Sequence, residues 1–241
     1  MTRPILHTFS ISHFSEKARW GLDWAGIDYE LRPNIPFAHM WNARRLKVPH
    51  SSVPILEQPG KAAIQGSSDI LDWAAAHTAN FPKGGEDIEA RLDAKLGRYV
   101  IYYFYGEAAL DTPQAIPPLF KPGLTPGKRR TFTLGWPLIR RAMILGMGLN
   151  ANNHAKARTR LMAELDWLDG ELADGRPYLF GDTPGRGDLT AASLIAPLVQ
   201  PPEHPVYGAN LTVPPRMARD CKTWRNRPIM ELVARMYRDH R

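Results

Sequence analysis

The chain has 241 residues, 44% hydrophobic and 23% charged, the balance of a globular protein long enough to bury a sizeable core. Its single cysteine, Cys221, excludes an intramolecular disulfide framework and any cysteine-rich metal site, so no metal is expected. The formal charge of +7 raises the question of nucleic acid, but the basic residues are scattered and carry no recognition-helix, zinc-finger or RNA-binding signature, so no nucleic acid is expected.

Attraction of small anionic ligands accounts for the charge equally well. No charged-then-apolar leader opens the sequence, and the apolar run "LIRRAMILGMGL" contains Arg140 and Arg141 and is too short to span a bilayer. The expectation is a cytoplasmic protein with no membrane attachment.

In chain order, "PILHTF" (4–9) reads as a strand. "SEKARWGLDWAG" (15–26) then reads as a helix with Ala18, Leu22 and Ala25 inward and Gly26 as its stop. "YELRP" (29–33) is a second strand, and a β-α-β order favours parallel pairing. Residues 36–52 read as irregular or weakly helical. "VPILEQPGKAAIQ" (53–65) reads as two antiparallel strands around a Pro59–Gly60 turn. "SSDILDWAAAH" (67–77) is a helix opened by Ser67 or Ser68, with Ile70, Leu71 and Ala74 inward.

The style then changes. "TANFPKGGED" (78–87) reads as a linker, and β signals fade beyond it. Ile88, Leu92, Leu96, Tyr99 and Tyr103 recur at helical spacing over 88–110, and Leu161, Leu165, Leu168 and Leu172 do so over 155–175. "DLTAASLIAPLV" (188–199) carries so few charges that it reads as a helix buried on most sides, and a last helix covers 227–241. Proline-rich stretches at 112–127 and 197–215 read as connections.

The βαβ–ββα order, "SVPIL", "GSSDIL" and the later "LFGDTPGRGDLTAASLIAPLV" together resemble the glutathione transferase superfamily. The resemblance covers nearly the whole chain, with residues 106–155 matching least. It implies a thioredoxin-like α/β domain over 1–78 that binds glutathione, then an all-α domain over 86–241 that carries the pocket for a small hydrophobic electrophile. It also implies a homodimer and a role in detoxification.

Within that resemblance, Pro54 would be cis and the Val53 backbone would pair with the cysteinyl main chain of glutathione. Ser67, at a helix start, would hold the γ-glutamyl carboxylate, an ordinary anion site. Ser68 and Asp69 lie beside it. Relatives carry an acidic or amide residue just before this serine; here Gly66 stands there, with Gln65 one place earlier. Arg44, Arg45, Lys47 and His50 lie where relatives place a cation for the glycyl carboxylate, with Arg44 or Arg45 the candidates. Tyr99, Tyr102, Tyr103 and Tyr105 fall where the first helix of the second domain lines the electrophile pocket, with Tyr103 the candidate. Asp188 resembles the buried aspartate of a helix capping box, although its usual Ser or Thr partner is Gly185.

"SISHFSEKAR" carries the catalytic expectation. Tyrosine-type relatives place a phenol where this chain has Thr8. Serine- and cysteine-type relatives place the residue at the helix start, which lands on Ser12, with Ser15 and Ser10 as alternatives. Either of two roles suits a serine there: an N-cap taking an orphan backbone N–H, or a hydroxyl presented to a bound anion. The expected reaction is attack by the glutathione thiolate on an apolar electrophile, by conjugation, thiolysis or dehalogenation. The alternatives are a non-enzymatic binding or interaction protein of the same fold, and a glutathione-dependent reductase or isomerase.

Overall fold

Strand β1 (Ile5–Thr8) alternates little and is almost wholly buried, as befits a strand paired on both edges. It pairs in parallel with β2 (Glu30–Pro33) and antiparallel with β3 (Ile55–Glu57), which pairs antiparallel with β4 (Ile64–Gln65). The computed structural model describes residues 3–79, 81–210 and 212–241. The sheet order is β2-β1-β3-β4. Helix α1 (His13–Trp24) makes the parallel crossover, and α2 (Ala38–Arg45) is the one short helix in the segment expected to be irregular or weakly helical. Helix α3 (Ser67–Ala75) follows the hairpin.

Buried Ala18 and Leu22 of α1 and Ile70, Leu71 and Ala74 of α3 join the two helices on one face of the sheet, as their spacing predicts. They lie so close that a Cβ on Gly21 would stand 2.6 Å from Leu71 Cδ1. Gly26, at φ +67°, turns the chain out of α1 as expected. The linker expected at 78–87 includes Asn80, and the connection at 197–215 includes Leu211; both residues lie outside the described ones, as do residues 1 and 2 of the 1–78 domain.

The chain forms two compact units, Met1–Pro82 with Phe120–Leu134, and Lys83–Leu119 with Gly135–Arg241. The second stretch of the first unit was expected to belong with the helical domain. It holds to the sheet unit through Phe120, whose ring stacks edge-on to Phe9 at 5.4 Å, and through Lys128, whose ammonium donates to the Pro33 carbonyl.

The second unit is all helical. The long helix expected over 88–110 is α4 (Glu86–Arg91), a π-helical turn (Leu92–Leu96) and α5 (Gly97–Ala108). After it in the chain come α6 (Pro117–Phe120), α7 (Pro126–Gly146), whose residues up to Leu134 belong to the first unit, and α8 (Ala151–Glu171). Then follow α9 (Arg186–Val199), α10 (Tyr207–Asn210), α11 (Pro215–Trp224) and α12 (Pro228–His240). Helix α9 is buried along nearly its whole length and packs against α12, the core element its composition predicts. Among the described residues no helix is long and apolar enough to cross a membrane.

Candidate functional site

The strand directions decide where chemistry can gather. β1 runs toward one end of the sheet, β3 starts at that end and β4 finishes there. Hence α1, which follows β1, and α3, which follows β4, both begin at the same end. The β1–β3 register pairs His7 with Ile55, and continuing it puts Phe9 opposite Val53. Ser12, Val53 and Ser67 are brought to this one end.

Ser12 is the N-cap of α1: its backbone is extended and its hydroxyl oxygen accepts from the Ser15 N–H at 3.2 Å. That bond uses a lone pair and leaves the hydroxyl proton free, so capping and donating are compatible at this residue. The two alternatives fare differently. Ser10 gives its proton to the Pro122 carbonyl at 2.7 Å. Ser15 is 1% exposed, with its oxygen sealed from solvent. Of the three hydroxyls, Ser12 alone is half-buried with a proton to spare.

The Val53–Pro54 peptide bond is cis. The Pro54 carbonyl accepts from the Gly66 N–H at 3.1 Å, tying the start of α3 to this turn. Gly66, at φ +104°, is the N-cap of α3, a conformation only glycine adopts cheaply. Ser67 is therefore the first residue of the helix, with the unpaired first-turn N–H groups around it.

Gln65 does not point its amide at this end freely. It accepts from the His50 N–H and donates to the His50 and Ser52 carbonyls, pinning the loop that leads to Val53. Ser68 accepts from the ammonium of Lys17, which is 0% exposed and joins α1 to α3. Sequence reasoning missed Lys17, because a lysine beside Glu16 in a first turn reads as a solvated pair.

The two candidate arginines separate cleanly. Arg45 makes a two-pronged ion pair with Glu57 at 2.7–2.8 Å, and Glu57 also meets the buried His7 at 2.8 Å. The Arg45 hydrogen bonds hold the Glu57 carboxyl down at about 2. Arg44 has no ion pair among the described residues and lines a cavity of about 550 Å³ with Phe37, Met40, Trp41 and His50. Lys47, at φ +55°, follows α2.

Sequence models of the glutathione S-transferase N-terminal domain and C-terminal domain match residues 6–82 and 151–226. The chain belongs to the glutathione S-transferase superfamily. No curated protein matches it in sequence, but solved structures of the superfamily do in fold. A glutathione transferase from Phanerochaete chrysosporium superposes with a TM-score of 0.60 at 12% identity, over 100% of this chain and 98% of that one. A theta class enzyme from Xanthomonas axonopodis pv. citri, solved with glutathione bound, gives 0.59 at 18% over 96% of each. The beta-etherase of Sphingobium sp. strain SYK-6 gives 0.54 at 15%, over 96% of this chain and 98% of that one. As in that fold, a thioredoxin-like unit precedes a helical one.

The helical unit of this superfamily member places the remaining candidates. Tyr103 is 1% exposed, stacks on His154, and donates its hydroxyl to Asp220 at 2.8 Å, so its ring and its proton are both spent inside the bundle. Tyr103 continues the buried face of Leu92, Leu96 and Val100, a register that Tyr99 does not share. Tyr99 and Tyr102 face outward instead, into a groove on the same unit. Tyr105 is half-buried, and burial pushes its phenol above the ordinary range.

Asp188 is 0% exposed and accepts from the Leu179 N–H at 2.7 Å and the Gly185 N–H at 2.8 Å. The missing hydroxyl partner also has a cause: a Cβ on Gly185 would stand 2.9 Å from the Lys83 and Gly84 carbonyls. Burial pushes the Cys221 thiol up to about 12, which removes it as a nucleophile at neutral pH.

Proposed function

We propose that this superfamily member is a serine-type glutathione transferase that takes glutathione as co-substrate at the Ser12–Val53–Ser67 end of the sheet. The carrying observation is the Ser12 hydroxyl, which caps α1 through its oxygen and keeps its proton for a ligand. Ser67, with the first N–H groups of α3, receives the γ-glutamyl carboxylate, and the Val53 main chain receives the cysteinyl backbone. Arg44 receives the glycyl carboxylate, since Arg45 is committed to Glu57.

The active species is the glutathione thiolate, and an ordinary thiol titrates near 8.5. Lowering that by about two units requires roughly 2.7 kcal/mol. A hydrogen bond to a charged acceptor supplies about 1.5–3 kcal/mol and a helix N-terminus about 0.3–1. Ser12 and the start of α1 together suffice. The thiolate then attacks an electrophilic carbon of a small hydrophobic substrate. The S–C bond forms as the leaving group departs with the bonding pair, whether the reaction is conjugation, thiolysis or dehalogenation. The neighbour named a beta-etherase keeps thiolytic cleavage of an ether among these. The assembly is a cytoplasmic homodimer, checked by light scattering against the 27.1 kDa of one chain.

A non-enzymatic binding role has one observation in its favour: Gln65 is spent on the 50–52 loop and Gly66 has no side chain, so the γ-glutamyl end has fewer holds. Calorimetry with glutathione decides. Binding that survives Ser12→Ala within a few-fold is expected, with the bound thiol pKa raised by about one to two units and conjugation at pH 7 reduced roughly 10–100-fold. A folded protein that gives no heat at millimolar glutathione sinks the whole reading. A thiol titration moved by Ser15→Ala and untouched by Ser12→Ala reassigns the donor.

A further inference from the structure

Ser12 is the last residue of the short connection between β1 and α1. Phe9–Ser12 closes as a turn, with the Ser12 N–H donating to the Phe9 carbonyl at 3.0 Å. One backbone bond is a weak hold on a residue whose hydroxyl must point. Side chains of the same turn supply the rest. The Ser10 hydroxyl donates to the Pro122 carbonyl, 112 residues away in the chain, at 2.7 Å. The Phe9 ring meets His39 of α2 at 4.7 Å and Phe120 at 5.4 Å, both edge-on.

The segment that carries Pro122 is built as a rigid acceptor. Lys121–Leu124 is itself a turn, closed by the Leu124 N–H on the Lys121 carbonyl at 3.1 Å. Proline stands second and glycine third, with Gly123 at φ +72°, the arrangement of a type II turn. The carbonyl between those two residues takes no part in the turn's own bond, so it is open to Ser10. Gly123 has a second reason to be glycine: a Cβ there would stand 2.7 Å from Pro33 Cγ at the end of β2. The Lys128 ammonium donates to the Pro33 carbonyl at 3.2 Å, and buried Phe132 backs Phe120 at 5.2 Å. All these residues belong to the first unit. The segment thus ties the β1–α1 turn to the end of β2, although it lies in the part of the chain, 106–155, that resembles the superfamily least.

We infer that Ser10 and the Pro122–Gly123 turn are positioning elements for Ser12: they fix the turn that aims its hydroxyl, and so set the acidity of the bound glutathione thiol. The inference rests on the reading of Ser12 as the donor to that thiol. Ser10 acts through Ser12, because its own proton is spent on the Pro122 carbonyl. Hydrogen bonds weaken steeply as they bend, and a misplacement of about 1 Å in catalytic geometry costs on the order of 100-fold in rate. A loosened turn therefore shows in the thiol before it shows in binding.

The test is ultraviolet titration of the bound glutathione thiol in the full chain, beside pH–rate profiles with chlorodinitrobenzene. Ser10→Ala should raise the thiol pKa by about 0.5–1 unit and lower kcat at pH 7 about 3–10-fold, with the glutathione Kd changed less than about twofold. The rate deficit should close at high pH, where the thiolate forms unaided. Ser10→Thr keeps the hydroxyl and should restore the parent profile. Pro122→Ala keeps the carbonyl but loosens its turn, so it should shift the thiol the same way by less, and it is the probe if Ser10→Ala does not fold. In Ser10→Ala/Ser12→Ala the thiol pKa should match that of Ser12→Ala alone, since residues that act as a unit are not additive. His13 beside the turn, His39 against Phe9, and Lys121 and Lys128 of the segment are the same in every variant, so a difference between titrations belongs to the substituted residues. A lower melting temperature for Ser10→Ala with an unmoved titration, while Ser12→Ala moves it, overturns the inference and leaves the serine donor standing. A titration moved by neither variant, with glutathione bound, overturns the donor reading and this inference with it. A Ser10→Ala shift that persists in full without the Ser12 hydroxyl makes Ser10 a direct contact and overturns it too.

Discussion

In the sheet unit, Ser12 and Ser67 stand at helix starts with hydrogen-bonding capacity to spare, whereas in the helical unit Asp188, Glu107 and Asp220 spend every carboxylate oxygen on a named donor. Glu107 accepts from the N–H groups of Arg216 and Met217 and so caps α11, and Asp220 joins Tyr103 to Arg158. Carboxylates committed in this way fix helices. The contrast teaches which polar residues to test for rate and which for stability. Substitutions in the helical unit's saturated network should cost stability at unchanged activity per folded molecule, and those at the sheet's end should do the reverse.

The largest effect is expected at the buried pair of Arg186 on α9 and Glu89 on α4. Arg186→Met leaves a carboxylate in a site 4% exposed and should destabilise by about 3–5 kcal/mol, read as a lower denaturant midpoint. The double variant Arg186→Met/Glu89→Leu should recover much of the loss, because no unpaired charge remains. A single variant as stable as the parent would break the contrast between the units.

Next is Asp188→Ala, which orphans the Leu179 and Gly185 N–H groups and should cost about 1–3 kcal/mol. Turnover of the folded fraction should be intact. Normal stability with lost turnover would move Asp188 from scaffold to chemistry.

Much of this was legible in the sequence, for identifiable reasons. The chain order of elements in the sheet unit, the hairpin at Pro59–Gly60 and the cores of α1, α3, α8 and α9 follow from short-range periodicity, which needs no tertiary information, whereas the pairing of β1 with β3 does need it. Ser12 and Ser67 were singled out by the superfamily resemblance, since the local pattern alone left Ser10, Ser12 and Ser15 open at α1 and Ser67 or Ser68 open at α3. Helix α7 was not legible, since Gly127, Gly135 and Pro137 and the β-branched Thr131 and Thr133 all speak against a helix there. Its inward Phe132 and Ile139 override that local preference through burial. Helix α11 was hidden in a proline-rich stretch, although proline at the first helical position is itself a start signal. The fates of Arg45, Gln65 and Tyr103 depend on partners 12, 15 and 117 residues away, which no local pattern reveals.

The response to pH sharpens the comparison because the buried histidines of both units contribute with one sign. Burial pushes His7 and His39 in the sheet unit and His154 in the helical unit below the ordinary histidine value. The unfolded chain therefore binds protons there that the folded chain refuses. Their contribution is present above about 6.5 and is lost as pH falls below it, by up to about 1.4 kcal/mol per pH unit for each histidine. Asp188, pushed up by burial, acts oppositely: its ionisation weakens the fold as pH rises through the carboxylate range. Melting temperature should hence fall between pH 7 and pH 5, and His154→Gln should flatten that slope. A flat parent profile would mean that these rings accept protons where they sit.

The smallest effect separates Arg44 from Arg45. The Arg45–Glu57 pair is half-exposed on the arginine side, so its rupture by Arg45→Ala should cost no more than about 1 kcal/mol of stability. Glutathione affinity should hardly change, because the guanidinium is already neutralised by a carboxyl held at about 2 and stays so at any pH above that. Among the described residues Arg44 has no such partner, so Arg44→Ala should raise the glutathione Kd several-fold, the worth of one exposed charge contact of about 0.5–1 kcal/mol. Added salt should weaken the parent toward the Arg44→Ala value and leave the variant nearly unmoved. If instead Arg45→Ala carries the loss, the guanidinium leaves Glu57 for the ligand, and Arg45→Ala/Glu57→Gln should then bind no better than Arg45→Ala alone.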